Sequence, residues 1–344
     1  MWIRIVIALC VAVIAAGIAY LKLTHRWLTG EAGAADFTWW WRAGHALLNG
    51  DSPYRTIDAT GPYPFREGFL YPLPAAVVSV PFAVVDLPTG FVLFCAVSAG
   101  VLAFALMRDG YWRLPALMSM PMLTCMSNGQ WAPLMAAAAL TPALAWLAPV
   151  KPTLGGAIIA AYPTRRVILS AAASLVVTAV IWPWWPREYL AEIALRERAH
   201  YTTPLLLFPG VILILALLRW RRPEARLLFV MACAPQNLGW YDQVPLAIIP
   251  GTLRQVLVFS LLSYVPLFLV PFVRDPASDA HSYEILGRMV IAACYIPCLV
   301  AVLARPNEGP VPRFLEYFAR WLPPWLRGRV STNPPVVATS PPAQ

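Results

Sequence analysis

Asp36-Phe37-Thr38-Trp39-Trp40-Trp41-Arg42-Ala43-Gly44-His45-Ala46-Leu47-Leu48-Asn49-Gly50-Asp51-Ser52-Pro53-Tyr54 is a polar, aromatic island between long apolar runs, and the rest of the chain is read from it. Phe37, Trp40, Trp41, Gly44, Leu47 and Leu48 recur at helical spacing and make one apolar stripe, while Asp36, Arg42, His45 and Asn49 point elsewhere. The pattern predicts a helix lying in a membrane interface, where an indole buries its ring and still satisfies its N–H. Asn49-Gly50 stops the helix and Ser52-Pro53 keeps it stopped.

Of 344 residues, 59% are hydrophobic and 12% charged, whereas about a quarter of the residues of a soluble domain are charged. The chain therefore reads as a polytopic membrane protein. Its formal charge of +9 does not point to nucleic acid, because the arginines sit between apolar runs instead of forming one basic patch. Arg165-Arg166, the Arg219 to Arg226 group and the arginines from Arg305 to Arg329 are read as cytoplasmic topology signals. Cys10, Cys95, Cys125, Cys233, Cys294 and Cys298 all fall in apolar stretches and are expected to be buried free thiols; no metal site is expected.

The expected fold is all-α, a polytopic transmembrane helix bundle of about ten spans with an outer-face loop bearing interfacial helices. Residues 4–22 form the first span, and 23–88 an outer loop whose proline-rich end, Tyr71 to Pro88, is re-entrant. Further spans are expected at 90–107, 114–127, 131–149, 167–182, 204–218, 256–273 and 285–303, with two short pieces in 227–250. Residues 1–304 make one membrane domain, 305–329 a cytoplasmic amphipathic segment and 330–344 a disordered tail. Lys151 to Arg166 is read as a cytoplasmic loop. The expected location is the cell membrane, multi-pass, with both termini cytoplasmic.

Nearly all ionisable residues lie outside these spans, which argues against ion-coupled transport. No Walker-type loop, GxGxxG or Asp-x-Asp pair proposes a nucleotide site, and no cofactor is expected. On the residues alone, Asp36 is either a reactive carboxylate or a cap for its helix. Tyr54 and Tyr71 line a sugar pocket or anchor the interface; Asn128 and Gln130 bond sugar hydroxyls or neighbouring helices. Asp242 and Gln243 belong to a second polar turn near the outer face.

Asp36, Ala43 to Tyr54, Tyr71-Pro72-Leu73-Pro74, Gly129-Gln130 and Trp240-Tyr241-Asp242-Gln243 together resemble the GT-C glycosyltransferases. The resemblance is to family 87, the polyprenol-phosphate-mannose-dependent mannosyltransferases and uncharacterised relatives, and covers about residues 1–260. It implies that Asp36 is a general base, taking a proton from an acceptor hydroxyl while a sugar leaves a lipid phosphate. It implies as partners a polyprenyl-phosphate-linked sugar donor, a glycolipid or glycan acceptor and membrane lipid, with the active site facing the periplasm or outer side. The phosphate would need a cation, for which Arg42, His45, Arg55, Arg66, Arg196, Arg198 and His200 are the candidates. The family's Lys-Pro pair corresponds to Lys151-Pro152, read here as an inside topology charge. A lipid-linked-sugar flippase or other transporter is the reading from a different class.

Overall fold

The computed structural model describes the chain except residues 32, 59–67, 196–201, 237–240, 274–278, 310, 312 and 329–344. Among the described residues the regular structure is helical, with no strand. Arg66, Arg196, Arg198, His200, Trp240 and the tail from 330 lie outside them.

The first long helix, α1 (Trp2–Leu28), follows from an apolar run with no internal proline. The next helix, α2 (Phe37–Leu48), ends at Asn49, and Gly50 then adopts φ 76°. Then come α3 (Leu73–Ala83) and α4 (Leu87–Leu106), which starts on an Asp86 cap to the Thr89 amide. Helices α1 and α4 are antiparallel: Arg4 near the start of α1 donates to the Phe104 carbonyl at 2.9 Å. Gly100 of α4 lets the backbones close up against Ala8 and Ala12.

The middle of the chain breaks repeatedly. A 3-10 stretch (Tyr111–Met118) precedes α5 (Met120–Asn128); α6 (Ala132–Leu140) is followed by a second 3-10 stretch (Pro142–Val150) and then α7 (Pro152–Ala161). Helix α8 (Arg165–Ile181) leads at a 97° bend into α9 (Trp185–Leu195). A 3-10 stretch (Gly210–Arg219), α10 (Pro223–Cys233) and a short 3-10 turn (Val244–Ile248) come next. The chain closes with α11 (Leu253–Leu262), α12 (Val265–Val273), and α13 (Asp279–Val290), which passes through a π turn (Ile291–Tyr295) into α14 (Ile296–Leu303).

Among the described residues, four helices are long and apolar enough to cross a membrane, Trp2–Leu28, Leu87–Leu106, Leu253–Phe272 and His281–Leu303, or five if the bent pair α8–α9 is one span. About ten were expected. The stretch 131–149, read as a single inward span, is a hairpin. Thr141 is extended (φ −131°, ψ 98°) between α6 and Pro142–Val150, which pack against each other. Nine helical residues reach only about 14 Å, roughly half of a hydrocarbon layer.

Arginines close the far ends of these half-length elements. Arg108 donates to the Leu140 carbonyl at 2.7 Å, Arg113 to Ile248 at 2.7 Å, Arg226 to Ala160 and Ala161 at 2.9 and 2.6 Å, and Arg305 to Ile249 at 2.8 Å. The last-turn carbonyls of a helix lack intrahelical donors and carry partial negative charge, so guanidinium groups satisfy both needs. Glu316 and Leu326 are likewise tied down: Arg221, 3% exposed, makes two bonds to the Glu316 carboxylate at 2.7 and 2.9 Å, and Trp220 donates to the Leu326 carbonyl at 2.8 Å.

Three expectations are corrected. Trp39 and Trp40 are buried in protein, not set in a headgroup layer; the Trp40 indole N–H donates to the Gly129 carbonyl at 2.7 Å and Trp41 to Val85 at 2.9 Å. Cys10 and Cys233 are exposed free thiols, while the other four are buried. Lys151 is no loop charge: it is 6% exposed and ion-paired inside the protein.

Candidate functional site

Asp36, Gln130 and Lys151 meet beneath α2, Gln243 follows the Asp242 that pairs with Lys151, and each of the four stands at the start of a helical element. Asp36 is the N-cap of α2, Gln130-Trp131 precedes α6, Lys151 is the N-cap of α7 and Gln243 the N-cap of Val244–Ile248. The local sequence explains the breaks, because Pro133, Pro152 and Pro245 each occupy the first turn, where a missing N–H costs nothing. Helix starts carry partial positive charge, so the junction is electropositive before any side chain is counted.

Asp36 does not cap its helix through its side chain. Its carboxylate accepts instead from the Gln130 amide nitrogen. Gly129 makes this geometry possible. It ends α5 at φ 66°, and a Cβ there would lie 2.5 Å from the Cβ of Phe37. Burial raises the pKa of Asp36 most; the Gln130 hydrogen bond and the charges of Lys151 and Arg26 pull it back down, and Asp242 pushes it up again, leaving it above the ordinary 3.8. Five groups from α1, α2 and three chain breaks thus share one field.

The second half of the site is the pair Lys151 Nζ to Asp242 Oδ1, at 2.5 Å. The ammonium also sits 5.0 Å from the Tyr241 ring centre and 5.9 Å from that of Tyr71. Tyr71 meets Trp40 edge-on at 4.3 Å, and Trp40 lies 5.6 Å from Trp131. These rings wall the charged pair with apolar faces, which strengthens electrostatics inside. The Trp131 ring packs edge-on against Phe94 at 4.9 Å, which sets the junction about 11 Å along the axis from the start of α4.

Several buried polar atoms here have no hydrogen-bond partner among the described residues: Gln130 Oε1, Trp131 Nε1, Asp242 Oδ2 and both amide atoms of Gln243. Gln243 faces the Tyr295 hydroxyl, but that hydroxyl donates to Gln236 Oε1 at 2.7 Å. Buried polar atoms are normally paired, since an orphan costs about 1–3 kcal/mol. A cluster of orphans around one carboxylate and one ammonium is the arrangement a polar ligand would satisfy.

Of the residues singled out in the sequence, Asp36, Tyr71, Gln130 and Asp242 are brought together, while Gln243, next to Asp242 in the chain, faces Tyr295. Tyr54 stands one layer behind, its hydroxyl donating to the Tyr71 carbonyl at 2.9 Å. Asn128 is turned away: its amide donates to Thr124 of its own helix at 2.9 Å. Arg42 serves the loop, donating to the carbonyls of Asp58 and Thr56 at 2.9 and 3.0 Å. His45 stacks on Trp41 at 4.1 Å, and burial lowers its pKa, so it is neutral at pH 7. Both line a separate cleft of about 260 Å³ with Asn49 and Asp51. Arg55 pairs with Glu188 at 2.6 Å. The cations that act on Asp36 are Lys151 and Arg26, neither of which was in the expected set; the Lys-Pro pair was the one signal that pointed to Lys151.

Fold and site together define an all-helical chain with membrane-length helices and a recessed cluster of ionisable side chains. No family model matches the chain, and no curated protein or solved structure matches it.

Proposed function

We propose that the protein is a membrane glycosyltransferase that moves a sugar, mannose or another hexose or pentose, from a polyprenyl-phosphate donor to a cell-envelope glycolipid or glycan. The observation that carries this reading is the placing of the half-buried Asp36 carboxylate, bonded to Gln130 and of raised pKa, beside the buried ion pair of Lys151 with Asp242 at a junction of helix starts. An acceptor alcohol is a poor nucleophile at neutral pH, and a carboxylate whose pKa is raised by burial is a better base for it. In the reaction the acceptor oxygen bonds the anomeric carbon with inversion, its proton passes to Asp36, and the bond from that carbon to the phosphate oxygen breaks. Lys151 and the starts of α6 and α7 supply positive charge to the departing phosphate. Gln130 Oε1, Trp131 Nε1, Asp242 Oδ2 and Gln243 are the groups available to sugar hydroxyls. The reading carries with it a GT-C-like bundle of about ten membrane-entering elements, half-length ones included. It also carries an outward-facing site and cytoplasmic termini. Purified protein given polyprenyl-phosphate-mannose and related donors tests it: wild type forms a glycosidic product, and Asp36→Ala and Asp36→Asn do not. Full turnover by either variant would remove the assigned base.

A second reading, translocation of a lipid-linked sugar, is favoured by one observation. Half-length helices whose starts converge on a recessed, charged site also suit an anionic substrate in transit. Reconstituted vesicles separate the two, since translocation without a new glycosidic bond supports the transporter.

A further inference from the structure

A second site lies on α9, away from Asp36. Helix α9 turns 97° from α8, so if α8 crosses the membrane, α9 runs along its surface. Its inward face is anchored: Glu188 accepts from the Ser52 hydroxyl at 2.7 Å and the Trp182 indole at 3.0 Å, and pairs with Arg55 at 2.6 Å. Trp185, 8% exposed, stacks near Tyr189 at 6.2 Å. The other face carries Arg187, Leu190, Ala191 and Ala194 at helical spacing, all exposed. Trp184, Leu190 and Leu195 are 66%, 62% and 81% exposed, too much apolar surface for a helix facing water alone.

Between this face and the turn at Pro53–Thr56 opens a cleft of about 470 Å³ lined by Arg55, Trp184, Arg187, Glu188 and Ala191. Two guanidinium groups face one carboxylate, leaving an excess positive charge. Arg187 makes no side-chain hydrogen bond or ion pair among the described residues. A charged fork and an exposed indole, set beside leucines that can enter an acyl layer, match the layered chemistry of an acidic phospholipid: phosphate, glycerol, chain.

We propose that this cleft binds the phosphate of an anionic phospholipid between Arg55 and Arg187, with Trp184 at the glycerol level and Leu190 and Leu195 in the acyl layer. The assignment does not depend on the transferase reading, and its test does not use turnover.

Native mass spectrometry of the delipidated full-length protein, titrated with phosphatidylglycerol and with phosphatidylcholine, is the first measurement. About a tenfold preference for the anionic lipid is expected, roughly what one to two arginines supply. Arg187→Gln, which spares the Arg55 to Glu188 pair, should bring the preference close to unity, and Arg187→Lys should keep most of it. Glycerol phosphate and inorganic phosphate are run as competitors. Displacement of the lipid by either at equal concentration would assign the cleft to a soluble phosphate and overturn the proposal, as would an undiminished preference in Arg187→Gln. As a second readout, a nitroxide on Leu190→Cys, introduced beside Cys10→Ser and Cys233→Ser so that no other exposed thiol is labelled, should in vesicles be more accessible to oxygen than to a water-soluble nickel complex. The reverse order would place α9 in water and likewise sink it.

Discussion

Lys151 and Asp242, 91 residues apart in sequence, touch at 2.5 Å with their side chains 8% and 1% exposed. Bringing two charges out of water is costly, and their attraction offsets that cost only while both are present. Either Lys151→Met or Asp242→Asn alone should therefore destabilise the protein by about 3–5 kcal/mol. The double variant Lys151→Met with Asp242→Leu should recover most of that loss. Thermal unfolding in detergent reads the cycle. If the pair serves only stability, the double variant is also active; if it serves the proposed donor phosphate, stability returns without turnover.

Gly129 is the position where a single methyl should uncouple the site. Its φ of 66° is strained for any residue with a Cβ, and the added carbon would collide with Phe37. Gly129→Ala is expected to cost at least about 2 kcal/mol from backbone strain and overpacking together. Because Gly129 carries the carbonyl that holds Trp40 and precedes Gln130, the same change should lower product formation. A variant that unfolds at the wild-type temperature with full activity would show that the close approach is not needed.

The parts of the fold that were legible in the sequence are those whose signal is local. The helix at Phe37–Leu48 announced itself by apolar spacing and by Asn49-Gly50, and the runs near 4–22, 90–107, 256–273 and 285–303 are uninterrupted enough to be membrane-length helices. The hairpin at 131–150 was not legible, because a half-length helix enclosed by protein is as apolar as one crossing lipid. Only Pro133, Pro142 and Pro152 mark the breaks. Trp40 and Trp41 misled for a related reason: an indole whose N–H finds a backbone carbonyl is as content in a protein core as at an interface. Lys151 was misplaced because its partner sits on another break in the chain, and position along the sequence carries no trace of that pairing.

The C-terminal segment should depend on one ion pair. Arg221 is almost fully enclosed and its guanidinium meets both oxygens of Glu316. Glu316→Ala leaves that guanidinium without its counter-charge, so residues 313–327 should come away from the bundle. Limited proteolysis is the measurement, with faster cleavage in this segment expected for the variant. Unchanged cleavage would mean that the Trp220 and Asn307 contacts to Leu326 hold the segment unaided.

Asp36 gives the last prediction, because its proposed catalytic role and its contribution to stability should have opposite signs. Its pKa in the folded protein is raised, chiefly by burial, above the 3.8 of an unperturbed aspartate. The folded state therefore holds the proton more tightly than the unfolded chain does. Below 3.8 both states are protonated and the folded protein has the full benefit of a neutral buried acid. As pH rises past that value the unfolded chain releases its proton first, and the stability due to this group falls until the folded carboxyl has ionised as well. Asp36→Asn removes this titration while preserving the shape. The variant should match wild type in unfolding temperature near pH 4, and at pH 7 should equal or exceed it, while forming no glycosidic product. Melting curves of both proteins across that range, with turnover assayed on the same samples, decide the matter. A variant less stable than wild type at pH 7 would mean that Gln130, Lys151 and Arg26 together outweigh burial, and that Asp36 is held ionised as a structural anion.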